Sequence, residues 1–293
     1  MSEAVSQGQA SFLIHHWSIE GAFKMKDTIR RSLKSAATTG FAAVLILITG
    51  LVLLSEARAD EAEAYAKNRV KAMSDYMAAQ EVLAFEYDST FEIVTDEEQK
   101  LALASSGIIT LNRPDKIRAT REAGFADVEM LFDGTTFTVF GKNANLYTQI
   151  EEPGTIDHLI DALRDKYNKP VPGADLLLSN VYDELMLDVV DSKDLGVGVI
   201  GGVTCDHLAF RTDEVDWQIW IAQGEKPYPC RYVISTKRVA GNPQYSVQIR
   251  DWKTGDAVAS ETFIFNNESN AEKIALDELP GEMPKNFAIG DKQ

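Results

Sequence analysis

The stretch Phe85-Glu-Tyr-Asp-Ser-Thr-Phe-Glu-Ile93 decides the fold class of this chain. Its odd positions are apolar or aromatic except for Ser89, whereas its even positions are acidic or, at Thr90, hydroxylated. Successive side chains of a strand point to opposite faces of a sheet. The period of two therefore predicts a strand with one packed side and one side in water.

Further short strands are predicted after this stretch, and turn residues separate them. Asp133-Gly134 predicts a hairpin, and Arg113-Pro114 ends a strand. Connections this short favour antiparallel pairing. The predicted strands after the first cover residues 101–111, 117–121, 128–132, a return through Phe137 and Val139, 146–150, 203–210, 217–221, 231–238, 245–251 and 259–265.

Helical spacing interrupts the strand pattern at two places. Residues 61–80 carry one apolar stripe, Ala66, Val70, Met73 and Met77. Residues 155–167, with Thr155 as N-cap, begin a helical block that continues with short pieces at 174–178 and 182–190. The predicted fold is a β-rich α+β domain over residues 60–265. It is a strongly curved antiparallel sheet or incomplete β-barrel of ten or eleven strands, with helices packed on its concave side. A polar tail with a short helix, residues 266–293, follows.

The first 59 residues predict export. Residues 1–24 form an upstream extension, and Met25 is the expected start of a signal segment. A basic region from Lys26 to Lys34 precedes an apolar run at 41–54, and Ala57-Arg58-Ala59 is a small-x-small cleavage site. We therefore expect cleavage after Ala59 and a periplasmic protein. The alternative is an uncleaved inner-membrane anchor.

The chain is acidic, with a formal net charge of −16 from 45 acidic and 29 basic residues. Such a surface repels nucleic acid and anionic lipid headgroups, so no nucleic-acid partner is expected. It also favours a soluble monomer.

Cys205 and Cys230 are the two cysteines of the chain. In an exported protein, two cysteines predict one disulfide. Two buried free thiols are the alternative.

The sequence points to no enzyme, metal or cofactor. Beyond residue 59 the histidines are His158 and His207, and the sequence shows no set of three or four ligands at the characteristic spacing of a zinc site. Asp206 and His207 are adjacent on a predicted strand and should point to opposite faces, so His207 is expected to be structural. A nucleophile elbow and a Walker loop are both missing from the sequence.

Three motifs carry a resemblance to a known family: Gly107-Ile-Ile-Thr-Leu-Asn-Arg113-Pro114, the Asp133-Gly134 hairpin, and Trp217-Gln-Ile-Trp-Ile221 with the turn at 227–229. Over residues 61–255 the chain looks like a bacterial family of predicted periplasmic proteins of unknown function. More distantly it resembles the lipoprotein-carrier superfamily of LolA and the mycobacterial LppX-type lipoproteins.

The resemblance implies an incomplete barrel that is closed by helices around an apolar cavity for acyl chains. Arg113 matches a carrier arginine that is associated with lipoprotein cargo. The chain departs from the carriers in its longer helical insert, its cysteine pair, and Ile117-Arg118 where carriers have aromatics.

Apolar residues on several predicted strands suit the wall of such a cavity. These candidates are Phe91, Met130, Phe132, Trp217, Ile219 and Phe263. The leading hypothesis is a periplasmic binding or carrier protein for a lipid or acylated ligand. The alternative is a non-enzymatic envelope protein with a structural or interaction role and a core filled by its own side chains, in which case an envelope protein is the partner.

Overall fold

A computed structural model of the protein describes residues 60–124, 126–169 and 171–278. The predicted extension, signal segment and cleavage site after Ala59 lie outside these residues. None of the helices that the structure describes has the length and hydrophobicity of a transmembrane span.

The described chain consists of twelve strands, three α-helices and short 3₁₀ turns. Helix α1 covers residues 60–78. The other elements, in chain order, are β1 (Val82–Val94), β2 (Lys100–Asn112), β3 (Lys116–Ala123), β4 (Ala126–Phe132), β5 (Thr136–Gly141), β6 (Leu146–Glu151), α2 (Ile156–Asp165), a 3₁₀ turn (Ala174–Leu177), α3 (Val181–Met186), β7 (Asp191–Ile200), β8 (Val203–Arg211), β9 (Val215–Ala222), β10 (Pro229–Thr236), β11 (Gln244–Thr254), 3₁₀ turn Gly255–Ala257, β12 (Glu272–Lys273) and 3₁₀ turn Leu276–Glu278.

All twelve strands belong to one open sheet, in the order β12-β6-β5-β4-β3-β2-β1-β11-β10-β9-β8-β7. Strands β1 to β6 form one antiparallel meander, and β7 to β11 form a second. The two meanders join where β1 pairs with β11. Only β12 pairs in parallel, with β6, among the described strands.

The helices pack on one face of the sheet, which we call the helix face. The stripe of α1 is fully buried there, with Ala66, Val70 and Met73 at 0% exposure. It packs in one cluster with alternate residues of β1, including Leu83 and Phe85. The apolar side of β1 and the apolar stripe of α1 thus pack against each other, and each is the side that the sequence pattern predicts. We call the opposite side the outer face.

Helix α2 joins two parts of the core. Its N-cap is Thr155, whose side chain accepts a hydrogen bond from the His158 N–H at 3.2 Å, as predicted. Ile156 packs in the main cluster with the α1 stripe, while Leu159 packs with Phe132 in a smaller cluster under β4 and β5. One short helix therefore connects the main cluster, which contains residues of both meanders, to the smaller cluster of the first meander.

Two sequence predictions about strands are wrong. Strand β7 was not predicted, because its glycines and polar residues obscure the apolar alternation. Residues 259–265, predicted as a strand, form no strand. They begin a segment, residues 258–278, that we call the C-terminal strap.

The C-terminal strap crosses the outer face from β11 to β6. Glu261 forms an ion pair with Arg118 on β3. The Phe265 ring lies 5.3 Å from that of Phe140 and 4.9 Å from that of Tyr147. The strap ends by adding β12 beside β6, which raises the strand count from the expected ten or eleven to twelve.

Candidate functional site

An apolar cleft of about 540 Å³ opens at one end of the sheet. We call it the rim cleft. It lies between the end of β1, the start of β11 and the loop before the Ala174–Leu177 turn. Its apolar lining consists of Phe91, Ile93, Val94, Pro172, Ile234, Val239, Ala240, Pro243 and Tyr245.

Two contacts fix the walls of the rim cleft. Glu92 on β1 accepts a hydrogen bond from the Gln244 N–H at 3.0 Å and forms an ion pair with Lys100 at 2.8 Å. These bonds hold the β10–β11 hairpin against β1 and β2. On the other wall, Gly173 has a φ of +78°, and a Cβ there would lie 3.1 Å from the Tyr245 ring. Glycine thus lets the helical insert approach the cleft closely.

Acidic residues also line the rim cleft. Glu92, Asp96 and Glu98 lie beside the apolar residues, and Glu92 is paired with Lys100. The cleft therefore offers apolar area to a hydrocarbon group and negative charge to the polar end of the same molecule. Its volume falls in the range of small-molecule sites, roughly 300–1,000 Å³.

The six predicted cavity residues do not line one cavity. Phe91 lines the rim cleft. Phe132 is fully buried in the smaller cluster, against which Met130 packs. Trp217 and Ile219 lie in the main cluster under α1 and the helical insert. Phe263 lines a second, more polar cleft of about 680 Å³ near the α1–β1 turn.

The reason for this dispersal is packing. The side chains of α1, the 3₁₀ turn and α3 fill the helix face, where Leu208, Ile219 and Ile221 all have 0% exposure. The helices therefore cover Trp217 and Ile219, which the sequence analysis places in the wall of a ligand cavity.

Arg113, the predicted cargo-handling residue, holds the helical insert. Its Nη2 atom donates hydrogen bonds to the carbonyl oxygens of Leu177 at 3.0 Å and Leu178 at 3.4 Å. These carbonyls end the 3₁₀ turn and need such donors. Burial lowers the pKa of Arg113, and its Nε is buried without a hydrogen-bond partner among the described residues.

The predicted disulfide is not present, because Cys205 and Cys230 are free buried thiols. They lie on β8 and β10, which flank β9. Strands two apart are separated by about 9–10 Å, beyond the roughly 4.4–6.8 Å between the Cα atoms of a disulfide. The Cys205 thiol donates a hydrogen bond to the Val203 carbonyl, and burial raises the pKa of both thiols.

Asp206 and His207 point to opposite faces, as predicted. Asp206 is buried on the helix face, where Arg69 of α1 contacts it at 2.6 Å. His207 stacks on Trp220 on the outer face, with ring centroids 4.0 Å apart, and its Nε2 contacts Gln218. Within the described residues, no group of three or more His, Cys, Asp or Glu side chains could hold a metal ion.

Sequence reasoning missed most of the rim cleft. Four lining residues lie in the connection between the predicted strands 231–238 and 245–251, for which the sequence predicts no functional role: Val239, Ala240, Pro243 and Gln244. One signal was available: the apolar pair Val239-Ala240 stands in an otherwise polar connection.

Several solved structures are similar to the chain. The LppX lipoprotein of Mycobacterium tuberculosis is 10% identical, with 67% of this chain and 100% of that chain covered and a TM-score of 0.42. LprF of Mycobacterium bovis is 10% identical, with 70% and 98% covered and a TM-score of 0.44. The MucA/MucB complex of Pseudomonas aeruginosa gives 13% identity, 67% and 59% coverage and a TM-score of 0.39. At this distance none of them assigns a ligand to the chain.

No curated protein matches the chain. A family model does match, over residues 66–277, and its description is "Predicted periplasmic protein (DUF2092)". The matched residues include α1 from residue 66 onward, every strand of the sheet and both walls of the rim cleft. The chain therefore belongs to this family of periplasmic proteins.

Proposed function

We propose that the protein is a periplasmic binding or carrier protein that holds the hydrocarbon part of a lipid or acylated ligand in the rim cleft. The observation that carries this proposal is an open cleft whose lining combines nine apolar residues with the acidic residues Glu92, Asp96 and Glu98. An amphipathic molecule would place its chain against Phe91, Val239 and Tyr245 and leave its polar end near Glu92 and Asp96.

Transfer free energy gives the proposed interaction its strength. Each methylene that leaves water contributes about 0.8 kcal/mol. A ligand with two carbons fewer should therefore bind about 15-fold more weakly, provided that its tail lies inside the cleft.

The helical insert is proposed to control the width of the cleft. Pro172, just before the Ala174–Leu177 turn, lines the cleft, and Arg113 holds the other end of this turn through backbone carbonyls. Movement of this insert would widen the cleft toward the helix face. The tight packing of that face is the reason that the ligand is placed at the rim.

The test begins with the protein purified from the periplasm. Native mass spectrometry, followed by solvent extraction, should reveal a bound acyl compound, and fluorescent alkyl probes with an uncharged or cationic head group and tails of graded length should bind with the expected dependence on chain length. Val239→Trp should fill the cleft and weaken probe binding by at least tenfold. Ile264→Trp, at an exposed site on the C-terminal strap, is the matched control. The proposal fails if both variants bind the probes as wild type does.

A second candidate is a structural or interaction protein of the envelope. The observation that favours it is the packed helix face, where α1 and the insert occupy the space that carriers would keep for cargo. A ligand-free protein that takes up none of the probes, at any chain length, would support this candidate.

A further inference from the structure

We propose that the free edge of β7 pairs with β7 of a second copy of this chain, so that the two sheets join across a two-fold axis. This inference is independent of the rim cleft and of the ligand proposed for it.

Exposed apolar side chains concentrate along this edge. Five of the large hydrophobic residues that are exposed in the described chain lie within residues 187–199: Leu187, Val190, Leu195, Val197 and Val199. Val197 and Val199 are each 66% exposed. Exposed apolar side chains that concentrate in one segment are typical of an interaction surface.

The backbone of the same residues is available for pairing. Ile200 and Val203 close a two-residue hairpin through Gly201 and Gly202, so Ile200–Val203 and Gly198–Cys205 are the hydrogen-bonded pairs of β7 and β8. The N–H and C=O groups of Val197 and Val199 consequently point away from β8. The Thr204 carbonyl, opposite Val199, accepts from Gln223 on the β9 side, which agrees with this alternation.

One register makes the edge complementary to itself. If Gly198 lies on the two-fold axis, Val197 faces Val199 of the second copy, and Val199 faces Val197. Four backbone hydrogen bonds form, because both residues of each facing pair point outward. The valines of both copies then meet on the helix face, since Val197 and Val199 pair with Asp206 and Thr204 of β8.

The edge of β7 is the part of this acidic surface where a second copy can approach without repulsion between like charges. Two chains with a net charge of −16 repel each other over most of their surfaces. Residues 195–205, however, contain no charged side chain. In the proposed register Asp194 faces Gly202 and Lys193 faces Val203, so no like charges are opposed. Free edges are usually protected by Lys or Pro, and this segment has neither.

The pairing strand is short, because a bulge between Asp194 and Val197 ends its regular register. The interface therefore belongs to the small, weak class, and the dimer should be concentration-dependent.

The first test is sedimentation velocity of the protein purified from the periplasm, over a concentration series from micromolar to millimolar. Wild type should shift reversibly from monomer to dimer. Val197→Lys should remain monomeric, because two like charges then lie at the junction. Ile264→Lys, with equal exposure on the C-terminal strap, should dimerise as wild type does. A wild type that stays monomeric throughout, or a Val197→Lys dimer, overturns the proposal.

The second test measures the register. Val197→Cys and Val199→Cys face each other across the junction, whereas each faces its own copy only on a diagonal, at about 7–8 Å. Mild oxidation of an equal mixture should therefore give far more cross-linked dimer than either variant alone. Equal cross-linking in all three samples overturns the register. If wild type is monomeric and an extended apolar peptide instead protects the Val197 and Val199 amides from hydrogen exchange, the edge serves another chain.

Discussion

Gly107 occupies a position on β2 where no side chain fits. A Cβ there would lie 1.9 Å from the Thr120 carbonyl oxygen and 2.8 Å from the Tyr87 ring. The same carbonyl accepts a hydrogen bond from the Tyr87 hydroxyl at 2.9 Å. The glycine thus allows a tyrosine of the helix face to reach across β2 to the backbone of β3.

We predict that Gly107→Ala lowers the free energy of unfolding by about 3 kcal/mol, because backbone and ring must both move. Gly124→Ala is the control, since a Cβ at that position meets nothing within 4 Å. Urea denaturation of both variants measures the difference. Equal stability of the two variants would contradict the close approach at Gly107.

Glu152 is a buried carboxylate with three side-chain donors. The Lys166 ammonium and the Tyr167 hydroxyl bond one oxygen, and the His158 ring contacts the other at 2.9 Å. Hydrogen bonding from Lys166, then Tyr167, lowers the pKa of Glu152 from 4.5 to about 2, against the opposing effect of desolvation. Together these bonds tie the end of β6 to α2.

A lowered pKa in the folded state means that the unfolded chain binds the proton more readily. Glu152 therefore stabilises the fold fully above pH 4.5, and this contribution is lost as the pH falls toward about 2. We predict that the free energy of unfolding of Glu152→Gln falls less steeply than that of wild type over this interval. Denaturant unfolding at a series of pH values tests it, and parallel pH profiles would exclude the effect.

Among the secondary-structure elements, the C-terminal strap packs on the sheet through the aromatic ring of Phe265. Phe265 contacts Phe140 of β5 and Tyr147 of β6, whereas the adjacent Ile264 is 66% exposed. We predict that Phe265→Ala releases the strap, with a loss of about 1–2 kcal/mol for a half-buried ring. Limited proteolysis should then cut within residues 258–278, while Ile264→Ala should resist like wild type. Resistance of both variants would show that the strap does not depend on this ring.

Elements with a clear period were predictable from the sequence. The α1 stripe and the alternation in β1 each report a single buried face, so local pattern and tertiary environment agree. The strands of the β1–β6 meander and the N-cap Thr155 are confirmed for the same reason. β7 was missed because an edge strand with exposed valines and glycines has no buried face to create a pattern.

The strap and the rim cleft could not be predicted for a different reason. Residues 259–265 alternate like a strand, yet they lie across the outer face, because the aromatic residues available on β5 and β6 are distant in sequence. The cleft similarly combines the end of β1 with a hairpin tip some 150 residues later. Phe91 was identified by its own pattern, whereas the residues that complete the cleft depend on sheet order.

In the molecule as a whole, the two meanders share the main cluster, and α2 joins the smaller cluster to it. Ile156 packs with the main cluster, while Leu159 and Leu163 pack with Phe132 and Phe137. β1 also pairs with both meanders along most of its length. We predict that the described domain unfolds in a single transition.

Two spectroscopic signals can show whether the two meanders unfold together. In a Trp17→Phe background the remaining tryptophans are Trp217 and Trp220 on β9 and Trp252 on β11, so tryptophan fluorescence reports chiefly on the second meander, whereas circular dichroism reports on the entire sheet. The two unfolding curves should coincide. A fluorescence transition that clearly precedes or follows the dichroism transition would mean that the meanders unfold separately.

The parallel strand β12 gives the sheet two unequal ends. At one end, β12 and the strap take the carbonyl oxygens of Asn145 and Tyr147, whereas at the other end the outward groups of Val197 and Val199 have no partner among the described residues. If two copies pair as proposed, each uses its β7 edge once, and the pair has no β7 edge left to which a third copy could add. The proposed pairing would therefore stop at two copies instead of continuing as a fibre.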